Sequence, residues 1–221
     1  MELSAATPRS PRGRRAARVS GDDRERAILA TAERLLGERP LHEISVDDLA
    51  RGAGISRPTF YFYFASKEAV LLALMDRLVE EARSGIELAL LSEDPPRVVR
   101  DGIASVHRTF REHRVVTIAA ADARASSPAL RELWARVMEV FVEETAAAIE
   151  SERARGAAPA GIPARDLATA LNLMNERAFH ATLAGEPPAI EDGAVDDTLV
   201  EVWLRAIYGT TEPPSAGGPA S

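Results

Sequence analysis

Ser45-Val46-Asp47-Asp48-Leu49-Ala50-Arg51-Gly52-Ala53-Gly54-Ile55-Ser56-Arg57-Pro58-Thr59-Phe60-Tyr61-Phe62-Tyr63-Phe64-Ala65-Ser66-Lys67 is the stretch that decides how this chain is read. Five of the chain's eleven aromatic residues stand in the run 60–64, and Lys67 is its only lysine. The run alternates Phe and Tyr, so its local β-propensity favours an edge strand. Its surroundings oppose a strand. No partner strand is evident, Pro58 opens the run, and serines suited to helix caps stand on both sides. Ser45-Val46-Asp47-Asp48 has the form of a capping box with a shortened acid, opening a short helix through Leu49 and Ala50. Gly52-Ala53-Gly54 makes a tight turn. Ser56 caps a second short helix, in whose first turn Pro58 is tolerated because its missing N–H would be unpaired there. Ser66 caps a long third helix through Val70, Leu71, Leu74 and Leu78.

Two short helices around a glycine turn form a helix-turn-helix, whose second helix enters the major groove of DNA. Arg57 and Thr59 fall in the first turn of that helix, where Arg can bond guanine bidentately and the Thr methyl can touch thymine. The hydroxyls of Ser45, Ser56, Tyr61 and Tyr63 suit phosphate oxygens, and Lys67 adds a cation beside another helix N-terminus. Phe60 and Phe64, spaced i,i+4, are expected to pack on the preceding helices, with Phe62 also assigned to the core. Tyr61 then projects elsewhere with its hydroxyl free. A purely structural aromatic hairpin explains the phenylalanines but not Arg57, Tyr61, Tyr63 and Lys67, which would need partners if buried.

Composition sets the frame. The 221 residues fit one large domain or a small one joined to a larger. No apolar stretch approaches the roughly 18 residues of a membrane span, so a cytoplasmic chain without membrane contact is expected. The absence of cysteine removes disulfides, thiolate zinc sites and cysteine nucleophiles. The net charge of −7 is unevenly spread. Residues 1–67 hold 12 Lys/Arg against 9 Asp/Glu, and the remainder 15 against 25. A basic end on an acidic body fits a DNA-contacting head and a body that the duplex repels.

The pattern along the chain is all-α, with about nine helices and four segments. Residues 1–21 read as a disordered basic arm, which either lies along DNA or is a solvated tail. Residues 22–67 form a three-helix helix-turn-helix head, and 68–209 a helical ligand-binding and dimerisation body. Residues 210–221 read as a disordered tail. In the head, Asp22 and Asp23 suit the start of a helix carrying Ile28, Ala32, Leu35 and Leu36, ended by Gly37 and Pro40. In the body, Pro95-Pro96 marks a break, and helices are expected over 97–112, 117–123, 128–154, 164–184 and 194–208.

Three helical stripes in the body stand out: Trp134, Met138, Phe141 and Thr145; Ile103, Val106 and Phe110; Asn172, Asn175 and Phe179. Two amides on an apolar face must bond to each other, to backbone or to a guest. From the residues alone, both a bundle core with amides fixing helix register and an apolar ligand pocket with a few polar groups remain open. An enzyme finds no support. The four histidines lack ligand spacing such as H-E-x-x-H, and no G-x-S-x-G, phosphate loop or dinucleotide loop occurs. His107 and His113, among Arg108, Arg111 and Arg114, read as a solvated polar face. No cofactor or metal is called for.

Residues 24–71 resemble the DNA-binding domain of TetR-family regulators. The motifs are Ala-x-x-Leu-Leu at 32–36, Val46-Asp47-Asp48-Leu49-Ala50, Gly54-Ile55-Ser56, Thr59-Phe60-Tyr61, Tyr63-Phe64 and Ser66-Lys67-Glu68. Further blocks are similar to one branch of that family, repressors of a flavin monooxygenase gene: Pro11 to Arg15, Gly156 to Pro159, and Leu167 to Arg177. The resemblance implies a homodimer that binds double-stranded operator DNA and is released by a lipophilic small molecule. It implies a pocket lined by Phe110, Trp134, Met138, Phe141, Thr145, Asn172, Asn175 and Trp203. A dimer interface is implied on the helices 164–184 and 194–208, and a neighbouring monooxygenase gene as target. The chain departs from that branch around 90–100, in its tail, and at Val99, Val106, Glu144 and His180, where the branch is aromatic. An activator, or a lipophile-binding protein without a DNA role, is the alternative.

Overall fold

The computed structural model describes residues 21–211, which form nine α-helices and one 3-10 turn. Of the basic arm expected over 1–21, all but Gly21, which begins α1, lies outside the described residues, as does most of the tail. The helices are α1 (Gly21–Leu36), α2 (Val46–Gly52), α3 (Arg57–Tyr63), α4 (Lys67–Ala89) and α5 (Pro95–Glu112). They continue with α6 (Arg114–Arg124), α7 (Pro128–Ala154), α8 (Ala164–Ala184) and α9 (Val195–Tyr208). The 3-10 turn is Leu41–Glu43, between α1 and α2. The strand alternative for 60–64 falls, because the run lies in α3 and its C-cap.

Local chemistry accounts for the helix starts in the head. Ser45 accepts from the Asp48 N–H at 3.1 Å while Asp48 accepts from the Ser45 N–H at 3.1 Å, a closed capping box. That hydrogen bonding from Ser45 holds the Asp48 carboxyl below its usual range, with Arg39 and Arg51 adding to the effect. Ser56 accepts from Thr59 N–H at 3.3 Å, and Ser66 from Ala69 N–H at 3.2 Å. Gly54 adopts φ 67° in the turn between α2 and α3, a conformation that disfavours residues with a Cβ.

Two boundaries differ from expectation. Pro95 and Pro96 do not break a helix but begin α5, in the first turn where a missing N–H costs nothing. α6 starts at Arg114 rather than 117, because the turn between α5 and α6 is confined to His113 (φ −105°, ψ 35°).

One apolar core runs through head and body. It joins Ile28 and Leu35 of α1, Phe60 of α3, Leu71 and Leu74 of α4, Phe110 of α5 and Leu199 of α9. α4 therefore belongs to both parts. It packs most extensively on α5, and the two approach so closely that a Cβ on Gly85 would lie 1.7 Å from Ser105 Oγ. α7 packs on α8, with a second cluster that includes Val142, Ile149, Leu171 and Ile207.

Candidate nucleic-acid interface and body cavity

α3 presents Arg57, Pro58, Tyr61 and Phe62 to solvent and turns Phe60 inward. Phe60 is completely buried and Phe64, the helix C-cap, is 8% exposed; their rings lie 6.1 Å apart. Burying one such ring stabilises by about 1.5–3 kcal/mol. Phe62 corrects the sequence reading. It is 83% exposed, because a helix of seven residues directs 57, 58, 61 and 62 to one face, away from the core.

Arg57 is held in place. Its Nη1 donates to Asp47 Oδ2 of α2 at 3.1 Å and its Nη2 to the Tyr61 hydroxyl at 3.4 Å. The guanidinium stands 5.8 Å from the Tyr61 ring centre. The Tyr61 bond and the Asp47 charge push the guanidinium pKa further up. The Tyr61 hydroxyl is thus not free, as expected from sequence, but engaged by Arg57. The Ser56 and Thr59 hydroxyls are 2.8 Å apart and bond each other, and the Ser45 hydroxyl donates to Asp48 Oδ2 at 2.7 Å. Tyr63 is half-buried beside the core. Asp47, the partner that orients Arg57, went unnoticed in the sequence; only its charge could have suggested it.

Lys67 differs most from its expected part. Its ammonium donates to the carbonyls of Leu41 (2.7 Å), His42 (3.1 Å) and Ile44 (2.9 Å). An ammonium has three donors, and all are taken. Instead of presenting a bare cation, Lys67 ties the start of α4 to the turn that leads into the Ser45 cap.

In the body, all eleven residues singled out from sequence line one cavity of about 390 Å³. α5 contributes Ile103, Val106 and Phe110, and α7 contributes Trp134, Met138, Phe141 and Thr145. α8 contributes Asn172, Asn175 and Phe179, and α9 Trp203. Both readings of the amides meet here. Asn172 Nδ2 donates to Thr145 Oγ1 at 3.1 Å and to Ala168 O at 2.9 Å. Trp203 Nε1 donates to Asn175 Oδ1 at 2.9 Å. The amides thus fix α8 against α7 and α9. They still carry an acceptor (Asn172 Oδ1) and a donor (Asn175 Nδ2) with no further hydrogen bond among the described residues.

The cavity is also lined by Glu144, noted in the sequence as a departure from the aromatic branch, and by Glu93, Glu152, Glu176 and Tyr208, which the sequence reading missed. Burial and the hydrogen bond that its hydroxyl donates to Glu152 push the Tyr208 phenol well up, so it stays neutral. A smaller void of about 30 Å³ shares Phe110, Trp134 and Glu176 with the large one and reaches Met75 and Leu78 of α4.

Neither histidine lies on a solvated face. His107 is 2% exposed and stacks on Phe179, with ring centres 4.9 Å apart and planes 1° from parallel. Its Nδ1 lies 2.8 Å from Asp196 Oδ1 and its Nε2 3.3 Å from Asp192 Oδ1. His113, at the corner between α5 and α6, bridges Glu33 of α1 (2.8 Å) and Glu81 of α4 (3.3 Å). Burial opposes its charged form, but the Glu33 hydrogen bond and both carboxylates outweigh burial and raise its pKa. Neighbouring arginines in sequence gave no hint of these partners, which come from distant helices.

An exposed, pre-oriented short helix over a helical body with an apolar cavity defines a helix-turn-helix regulator class. Comparisons with known proteins agree. Residues 28–74 match the model of bacterial regulatory proteins of the tetR family, and 99–209 that of the C-terminal domain of the transcriptional regulator EthR. The HTH-type transcriptional regulator EthR of Mycobacterium tuberculosis is 56% identical over 215 residues, 95% of this chain and 99% of that protein. Its counterpart in Mycolicibacterium smegmatis is 55% identical over 209 residues, 94% of this chain and 96% of that protein. The fold is also that of NalD, the secondary repressor of the MexAB-OprM efflux pump of Pseudomonas aeruginosa. The TM-score is 0.67 at 20% identity, covering 85% of this chain and 96% of that one. The chain belongs to the TetR family of transcriptional regulators and carries the EthR type of C-terminal domain. Its relatives are regulators, not enzymes. No helix among the described residues is long and apolar enough to cross a membrane.

Proposed function

We propose that this chain is a cytoplasmic, homodimeric repressor that leaves its operator when a lipophilic molecule fills the body cavity. The head, 22–67, reads DNA, and the body, 68–209, receives the ligand and dimerises. Arg57 and Thr59 address base edges, and Ser45, Ser56, Tyr61 and Tyr63 address phosphates. Lys67 sets the position of the Ser45 cap instead of contacting phosphate directly. Asp47 holds Arg57 until a base replaces it.

The observation that carries this reading is the span of α4. Its first residue, Lys67, is fastened to the head by three carbonyls, and Ile86 in its last turn lines the cavity. A ligand that displaces the C-terminal end of α4 therefore moves the head. It can do so only to the extent that it binds the released shape better than the DNA-bound one. Two heads about one helical turn apart would read a palindrome. Leu173 of α8 and Val202 of α9 are exposed apolar side chains, suited to a four-helix interface between two copies. The target is a neighbouring gene, with a monooxygenase gene the leading candidate from the resemblance to EthR.

The test is a gel-shift titration with DNA upstream of the chain's own gene. Tight binding that random DNA of equal length does not compete is expected; equal affinity for both would sink specific regulation. Reporter transcription then separates repressor from activator. Loss of all DNA binding in a chain that still binds lipophiles would favour a carrier.

A further inference from the structure

We propose that the effector is a lipophilic amine, an apolar body with one ammonium held at the carboxylate-lined rim of the cavity. This inference rests on the cavity being the effector site and adds the charge of its occupant.

Every ionisable side chain lining the cavity, Tyr208 aside, is a carboxylate: Glu93, Glu144, Glu152 and Glu176. No Arg, Lys or His is among the lining residues. Three of the four carboxylates have arginine partners, and all three pairs are oriented alike. Glu144 pairs with Arg83 at 3.5 Å, Glu176 with Arg124 at 2.8 Å, and Glu152 with Arg155. In each pair the carboxylate belongs to the lining and the guanidinium does not. Three aligned ion pairs with their negative ends inward give the cavity a negative potential even though the pairs are neutral overall. Glu93 adds a carboxylate with no ion pair among the described residues.

These groups do not weigh equally. Glu152 and Glu176 are each 19% exposed and tightly paired. Glu144 is 48% exposed, its arginine is more distant, and Glu93 is exposed as well. An ammonium seated at Glu144 and Glu93 keeps part of its hydration, so its desolvation cost stays small. Its alkyl body enters among Phe141, Met138 and Trp134, and the Trp134 ring already carries the Arg124 guanidinium 5.0 Å from its centre, which directs the ammonium to the Glu144 and Glu93 end. The cavity volume of about 390 Å³ admits an unbranched chain of about ten carbons. A carboxylate amphiphile of equal length would meet the same four carboxylates with the wrong sign.

The experiment compares decylamine, 1-decanol and decanoate at neutral pH and below their micellar concentrations. Each is titrated into the full-length chain while the fluorescence of Trp134 and Trp203, its only tryptophans, is followed. Decylamine should bind about tenfold tighter than decanol, and decanoate at least about tenfold weaker than decanol. Glu144→Gln and Glu93→Gln together should erase most of the amine's advantage and leave decanol affinity unchanged. Equal affinity for all three, or a preference for decanoate, overturns the amine while sparing the cavity as effector site. Failure of all three to bind overturns both. A preference for decylamine that survives both substitutions also overturns the seat proposed here.

Discussion

In the head, the serine caps find partners within three residues; in the body, the cavity amides find theirs across helices. Ser45, Ser56 and Ser66 each close a hydrogen bond to an N–H three positions on. Asn172 reaches Thr145 and Trp203 reaches Asn175, each by crossing from one helix to another. A bond within one turn survives when the helix moves as a body. A bond between helices does not. The head is thus built to be carried without distortion, and the body to hold an arrangement that a guest in its cavity can change.

Substitutions can break this contrast. The largest effect is expected from Phe60→Ala, which should lower stability by about 3–5 kcal/mol in urea denaturation, because its ring is wholly enclosed. Lys67→Met removes the polar tie that joins the start of α4 to the 41–44 turn. Three carbonyls lose a charged donor, and a loss of about 1.5–3 kcal/mol is expected by the same measurement. A loss under about 0.5 kcal/mol would mean that water serves those carbonyls equally well.

Arg57→Ala should leave stability nearly unchanged and cost about 1–3 kcal/mol of operator discrimination, concentrated at one base position in a scan of operator variants. A uniform loss across sequences would make Arg57 a phosphate contact instead.

A smaller effect concerns the seam where head and body meet. His113 has its pKa raised above the ordinary 6.5 in the folded chain by Glu33 and Glu81 against the opposing effect of burial. A raised folded pKa means that the contribution to stability is complete below 6.5 and is lost as pH rises through the folded value. Stability of the native chain should therefore fall over that interval relative to His113→Gln, as read from denaturation midpoints at a series of pH values. Parallel curves for the two proteins would show that the bridge contributes nothing. The smallest change is expected from Phe62→Ala, within about 0.5 kcal/mol of the native stability, since its ring rests on solvent.

The head was legible because its rules are local. A serine followed three positions later by a bonded N–H can be read from spacing, and so can the glycine turn. The cavity stripes were legible for a related reason, since helical period alone aligns Trp134, Met138, Phe141 and Thr145 on one face. What periodicity cannot supply is which neighbour that face meets. His107 and His113 sit among arginines in the chain, yet their partners are carboxylates brought in by α1, α4 and α9 and the loop before α9. Glu144 stood out in the sequence only as a departure from an aromatic branch, and nothing local marked Glu152 as part of a cavity wall. Phe62 misled for the opposite reason, because its apolar character suggested burial while the shortness of α3 left no core for it to reach.

The single lysine also makes the molecule chemically addressable. Its amine is occupied by three carbonyls, so an acylating reagent should meet a protected group in the folded head and a reactive one whenever the 41–44 turn opens. Time-resolved labelling of Lys67, read by mass spectrometry, would then clock the opening of that turn from the native state without a mutation or an attached probe.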